Sequence, residues 1–214
     1  METHAEHVDA GLAVREAWWQ RLLDLTYGTL FQPAATARRV SREKPLGLAL
    51  AVYLTATVVS SAFGARTLAG QVPVAAVAAG MVLLGGVWWL VYAGLLQVTG
   101  ELLGGRGRGV ALLAATGFAG LPNLFAPLAG VLGRLAGAWL EGILLIVVLP
   151  AWMALLHVIA VRECHELSTG RAVVTVLAPL VGGLLILAIL VVLVLAGLAT
   201  LPMFREFPGL PGIF

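Results

Sequence analysis

The chain has 214 residues, of which 60% are apolar and 11% charged, and it carries a formal net charge of +2. A mean hydropathy of +0.99 excludes an ordinary soluble domain, because no soluble core can hide so much apolar surface. The few ionisable groups form no basic stripe, which excludes nucleic acid as a partner, and a single Cys164 excludes an intrachain disulfide framework.

Residues 1–44 mix both signs of charge and contain no cleavable signal, so the first apolar span is expected to direct the chain to the membrane. Within this segment the periodicity over residues 11–31 predicts an amphipathic helix. Leu12, Trp19, Leu23 and Leu30 share one stripe, Trp18 and Leu22 lie beside it, and Gln20, Arg21 and Asp24 lie opposite. Two placements suit it equally. It can lie on the membrane with Trp18 and Trp19 at headgroup depth, or pack on the chain's own spans.

Five runs without Asp, Glu, Lys or Arg follow: 45–65, 67–100, 109–133, 142–161 and 172–204. A helix rises about 1.5 Å per residue and the hydrocarbon core is about 30 Å thick, so each run supplies one span. The expected fold is all-α: a polytopic five-helix transmembrane domain over 45–201, with spans at about 46–65, 73–97, 110–132, 142–161 and 173–200. Residues 202–214 are left as a short tail, in which a re-entrant element near 201–214 is an open alternative. Ten of the thirteen Lys and Arg, among them Arg38, Arg39, Arg106 and Arg108, fall in the N-terminal segment and the second and fourth loops. Positive residues are retained inside, so a multi-pass protein of the cell membrane is expected, N-terminus cytoplasmic and C-terminus outside.

Small residues four apart, such as Ala76 and Gly80, suit close helix packing. Prolines interrupt three spans, at Pro122 and Pro127, Pro150 and Pro179. Pro122 lies roughly 18 Å into its span by helical rise, and neighbouring Asn123 is the most polar group there. These residues are the parts of a transporter cavity, although Asn123 bonding a freed carbonyl is the simpler reading. No charge lies near the centre of any span, which argues against an ion-coupled carrier. His157, about 6 Å inside its span, reads best as a neutral histidine bonded to a carbonyl. Pairing it with Ser60 or Ser61 as a hydrolase fails, since they lie near the opposite face.

In the second loop, Gly104-Gly105-Arg106-Gly107-Arg108-Gly109 lacks the Lys-Ser/Thr of a phosphate-binding loop and reads as a flexible turn whose arginines meet lipid phosphates. The fourth loop, Arg162-Glu163-Cys164-His165-Glu166-Leu167-Ser168, gathers metal-capable groups. Adjacent helical residues point apart, so no metal site is expected.

Three stretches together resemble the Yip family, membrane proteins first named for interaction with Ypt/Rab GTPases, and specifically its prokaryotic members. They are Phe31-Gln32-Pro33 before a basic stretch, Gly117-Phe118-Ala119-Gly120-Leu121-Pro122, and Trp152 through Arg162, Leu167-Ser168 and Arg171-Ala172; the likeness covers roughly residues 22–200. The resemblance implies a cytoplasmic N-terminus, five membrane helices and no enzymatic chemistry. Eukaryotic relatives are linked to vesicle trafficking and Rab binding through a cytoplasmic N-terminal region. This chain has a short one, so Rab binding is not carried over.

The expected function is a non-catalytic membrane organiser or scaffold, needing no cofactor or metal, that binds membrane lipids or a protein partner on the cytoplasmic face. The alternative is a small-solute transporter or channel, acting as a homo-oligomer around a midplane site at Asn123, Pro122 and Pro150. An intramembrane hydrolase is a distant third.

Overall fold

The computed structural model describes residues 18–68 and 73–200, and among these every element is helical. Residues 11–17 of the amphipathic stretch, Leu12 included, and the tail with its re-entrant alternative lie outside the described residues. Helix α1 covers residues 18–31 and α2 Pro33–Glu43. Helix α3 runs Leu46–Leu68 and α4 Val74–Leu102. The next stretch is α5 (Gly109–Ala119), a 3₁₀ turn (Leu121–Phe125) and α6 (Ala126–Ala136). After the sharp turn at Gly137 come α7 (Ala138–Ile143), a π turn (Leu144–Val148) and α8 (Leu149–His165), and then α9 (Thr169–Thr200).

Five segments are long and apolar enough to cross a membrane: Leu46–Ala65, Val74–Leu102, Gly109–Ala136, Ala138–His165 and Thr169–Gly197. The chain is therefore an all-α, multi-pass membrane protein with five spans. It divides into two compact units, Met1–Val176 and Leu177–Phe214. Within the described residues, the second unit is the remainder of α9, an apolar helix containing Pro179.

Prolines in the third and fourth spans sit where their missing N–H does least harm. Pro122 is in the first turn of the 3₁₀ segment, Pro127 in the first turn of α6 and Pro150 in the first turn of α8. The π turn before Pro150 widens the hydrogen-bond ladder, with Leu149 N–H donating to Leu144 O.

Inside the first unit, α5 is the hub. It packs against α2, α3, α4 and α8, and Leu112, Ala114, Thr116, Phe118 and Ala119 on its different faces are all buried. Small side chains make this possible, since lipid is as apolar as leucine and close backbone approach supplies the attraction. At Gly117 an added Cβ would stand 3.0 Å from Ala49 O and 3.2 Å from the Trp89 ring. Trp89 itself stacks on Tyr53 at 4.3 Å between centroids and donates its indole N–H to Thr116 Oγ1 at 3.0 Å. Tyr53 donates its hydroxyl to Gly85 O at 2.6 Å. These bonds satisfy polar groups that hydrocarbon would leave unpaired, at roughly 0.6 kcal/mol each.

Gly117→Val is expected to destabilise the detergent-solubilised protein by about 1–3 kcal/mol, the usual cost of overpacking. Gly94→Val, at a helix position whose Cβ meets nothing within 4 Å, should stay within about 0.5 kcal/mol. Thermal unfolding of the two variants side by side checks the contrast.

Candidate functional site

The distinctive chemistry gathers at the end of the first unit where α2, the α4–α5 loop and the end of α8 meet. Helices α1 and α2 form an antiparallel hairpin whose polar rungs are Arg21–Glu43 and Asp24–Arg39, the latter at 3.0 Å. Near its turn, Gly28 faces Thr36 so closely that a Cβ there would collide with the threonine hydroxyl. Arg39 also pairs with Glu43 at 2.9 Å, one helical turn away. The hairpin is anchored by Leu25, buried on α1, and by Thr36, Ala37 and Val40 on the face of α2 that meets α5 and α8.

Helix α1 carries two apolar faces. Leu25 is buried and Leu22 and Leu30 are partly buried against the core, whereas Trp19, Leu23, Tyr27 and Phe31, spaced by four, are exposed. One face of the helix therefore packs on the chain's own spans, the second of the two placements expected, and the other is exposed. Leu30 parts from Trp19 and Leu23, with which it was grouped by periodicity. A groove of about 320 Å³ runs under Trp18 and Trp19, floored by Val52, Leu121 and Leu124.

Helix α2, a further element within the basic stretch, turns Arg38 and Arg42 toward the end of α8. A cleft of about 390 Å³ is lined by Arg38, Ser41 and Arg42 from α2 and by Arg162, Glu163, Glu166 and Leu167 from the end of α8. Glu163 lies at its base with 12% of its side chain exposed. It accepts from Arg38 Nη1 at 3.1 Å and from Arg162 Nε and Nη2 at 3.0 and 2.6 Å.

Beside the cleft, the glycine loop grips His165. The fully buried imidazole accepts at Nδ1 from Gly107 N–H at 3.2 Å, and His165 O accepts from Arg106 N–H at 3.2 Å. A Cβ on Gly100 would stand 2.9 Å from His165 Nε2, and one on Gly107 would stand 2.6 Å from Cys164 O. Gln97 Nε2 donates to Gly107 O at 2.9 Å, and Arg171 reaches Leu103 O at 3.4 Å. The loop is thus a fitted clasp instead of the flexible turn its composition suggested, and Gly105 and Gly107 each face an atom that excludes a side chain.

Arg106 and Arg108 remain exposed on this loop, Arg108 as the residue that opens α5. His157 is buried, with Nδ1 2.7 Å from Met153 O and its ring edge-on to Tyr92 at 5.5 Å. Pro122 is buried, and Asn123 is half-buried in the 3₁₀ turn, where its backbone N–H donates to Gly120 O. Pro150 is exposed, so it faces away from the interior. Glu163, Arg162 and His165, which the sequence offers only as part of a metal-capable loop, carry more of the geometry than Asn123, Pro150 or His157. What would have pointed to them is the joint presence of a glycine-rich second loop and a histidine in the fourth, since a loop so poor in side chains needs something to close on.

Glu43 is held below the ordinary carboxylate value, first by the Arg39 hydrogen bond and then by Arg21. Arg39 is correspondingly raised, by Glu43 first and Asp24 second.

The Yip1 domain family profile matches residues 27–191, a span that includes α2 through most of α9. No curated protein and no solved structure matches the chain.

Gly107→Ala should cost about 1–3 kcal/mol by driving its Cβ into the Cys164 carbonyl and the His165 ring. Gly109→Ala, with nothing nearer than 3.7 Å, should be tolerated; limited proteolysis of the loop and thermal unfolding read the difference. Because the folded Glu43 value is depressed, its contribution is complete above the free value of 4.5 and is lost as pH falls through the lowered one. Acidification below 4.5 should therefore loosen the hairpin in the native chain more than in Glu43→Gln, by no more than about 1 kcal/mol for such exposed pairs, as read by amide exchange in α1.

Proposed function

The chain belongs to the Yip1 domain family, a non-enzymatic family of membrane proteins, and from that premise we propose that it is a non-catalytic organiser of the cell membrane. In this reading the α1–α2 hairpin is its working surface. It binds membrane lipid or a protein partner from the cytoplasm, and the N-terminus lies inside with the C-terminus outside. The orientation is supported by the clustering of ten of thirteen Lys and Arg within residues 1–44, 101–108 and 162–171 of the sequence.

The observation that carries the proposal is the two-sided construction of the hairpin. Its outward stripe of Trp19, Leu23, Tyr27 and Phe31 suits the acyl boundary, and tryptophan and tyrosine suit headgroup depth. Its charged side holds an open cleft in which Glu163 already orders Arg38 and Arg162. A helix that only completed the bundle would need neither the exposed aromatic row nor the cleft.

Trp19→Ala combined with Tyr27→Ala and Phe31→Ala should leave the five spans inserted while reducing the partners captured by proximity labelling from the N-terminus. An unchanged set of labelled neighbours, or no specific neighbour in the parent protein, would overturn the organiser reading.

A further inference from the structure

We infer that the cleft between α2 and the end of α8 is a binding site for a phosphodiester group, with Arg42 as its principal donor. The inference deepens the organiser reading and rests on it, giving its charged side a defined ligand.

Three guanidinium groups, from Arg38, Arg42 and Arg162, line one cleft of about 390 Å³, a size within the roughly 300–1,000 Å³ typical of small-molecule sites. Glu163 accepts on both carboxylate oxygens, from Arg38 on one and from Arg162 on the other, and so acts as a clamp. It fixes two of the three guanidinium groups before any ligand arrives, and groups already ordered lose less freedom on binding. Donors remain in excess. Arg38 uses only Nη1, Arg162 Nη1 reaches only Thr169 Oγ1 at 3.5 Å, and Arg42 has no ion pair or hydrogen-bond acceptor among the described residues.

Planar guanidinium forks match the oxygens of a phosphate in paired hydrogen bonds, which are stronger than neutral ones. Charge narrows the class of ligand further. Glu166 on the lining adds a second carboxylate, so three arginines stand against two glutamates and leave one net positive charge. That balance suits the single charge of a phosphodiester better than the greater charge of a phosphate monoester. Position agrees, because α2 is joined to the first span by Lys44 and Pro45 alone, which keeps the cleft near the depth at which lipid headgroups lie. A phospholipid and a soluble phosphodiester share this chemistry.

The full chain in dodecyl maltoside micelles is titrated with dioctanoyl phosphatidylglycerol and, separately, with its deacylated headgroup glycerophosphoglycerol. Arg42→Gln should weaken binding about tenfold, in keeping with the loss of a charged hydrogen bond, with an unchanged melting temperature. Arg134→Gln, which removes the same charge from an exposed position on α6 outside the cleft, should change it less than twofold. Binding of the lipid alone assigns the site to membrane phospholipid, and binding of both probes assigns it to the phosphodiester whatever its source. Equal losses in the two variants would overturn the site while leaving the organiser reading intact, since attraction would then be diffuse. Failure of both probes beside specific binding of an acidic peptide would overturn it in favour of a protein ligand.

Discussion

The closeness with which other helices approach α5 is the constraint on which the first unit depends. In hydrocarbon there is no water to expel from between helices, so association relies on contact distance and on a few paired polar groups. Helix α5 meets both needs with alanines, Gly117 and Thr116, the last of which receives the Trp89 indole proton. Because α2, α3, α4 and α8 all rest on it, the placement of the hairpin, and with it the cleft, is set from within the bundle. The 3₁₀ turn at Leu121–Phe125 ends this crowded segment and leads into α6 within the same span.

Much of the architecture was legible in the chain. Runs free of charge are a direct image of the bilayer, because a charge in hydrocarbon is costly wherever the helix lies, and five such runs became five spans. The Yip family likeness rested on short motifs and is matched across residues 27–191. Helix α2 was hidden because its helical signal is only Thr36, Ala37 and Val40 on one face among basic residues, a pattern that composition reads as a charged linker. The two faces of α1 were partly visible. Periodicity showed that Leu22, Trp19 and Leu23 are apolar together, but only tertiary packing decides which of them meets protein.

The site was less legible, for a reason that lies in its construction. Glu163, His165 and Gly107 each make sense only against a residue far away in the chain: Arg38 on α2, the α4–α5 loop and the end of α8. Taken separately, the α4–α5 loop has the composition of a flexible turn and the end of α8 that of an unfinished metal site. Brought together, glycine supplies room and histidine fills it. The prolines illustrate the reverse case. They were conspicuous as interruptions, yet Pro122 and Pro127 serve to start new helical segments and Pro150 faces outward.

Connection length gives the hairpin a mechanical character. Only Gln32 separates α1 from α2, and only Lys44 and Pro45 separate α2 from α3. Two extended residues reach about 7 Å at most, so α2 has almost no slack relative to the first span. Displacement of α2 would therefore be felt by α3 through the chain as well as by α5 and α8 through packing, with no tether to absorb it. Lengthening the Lys44–Pro45 joint with a flexible insert would uncouple α2 from α3 along the chain while leaving every contact surface in place.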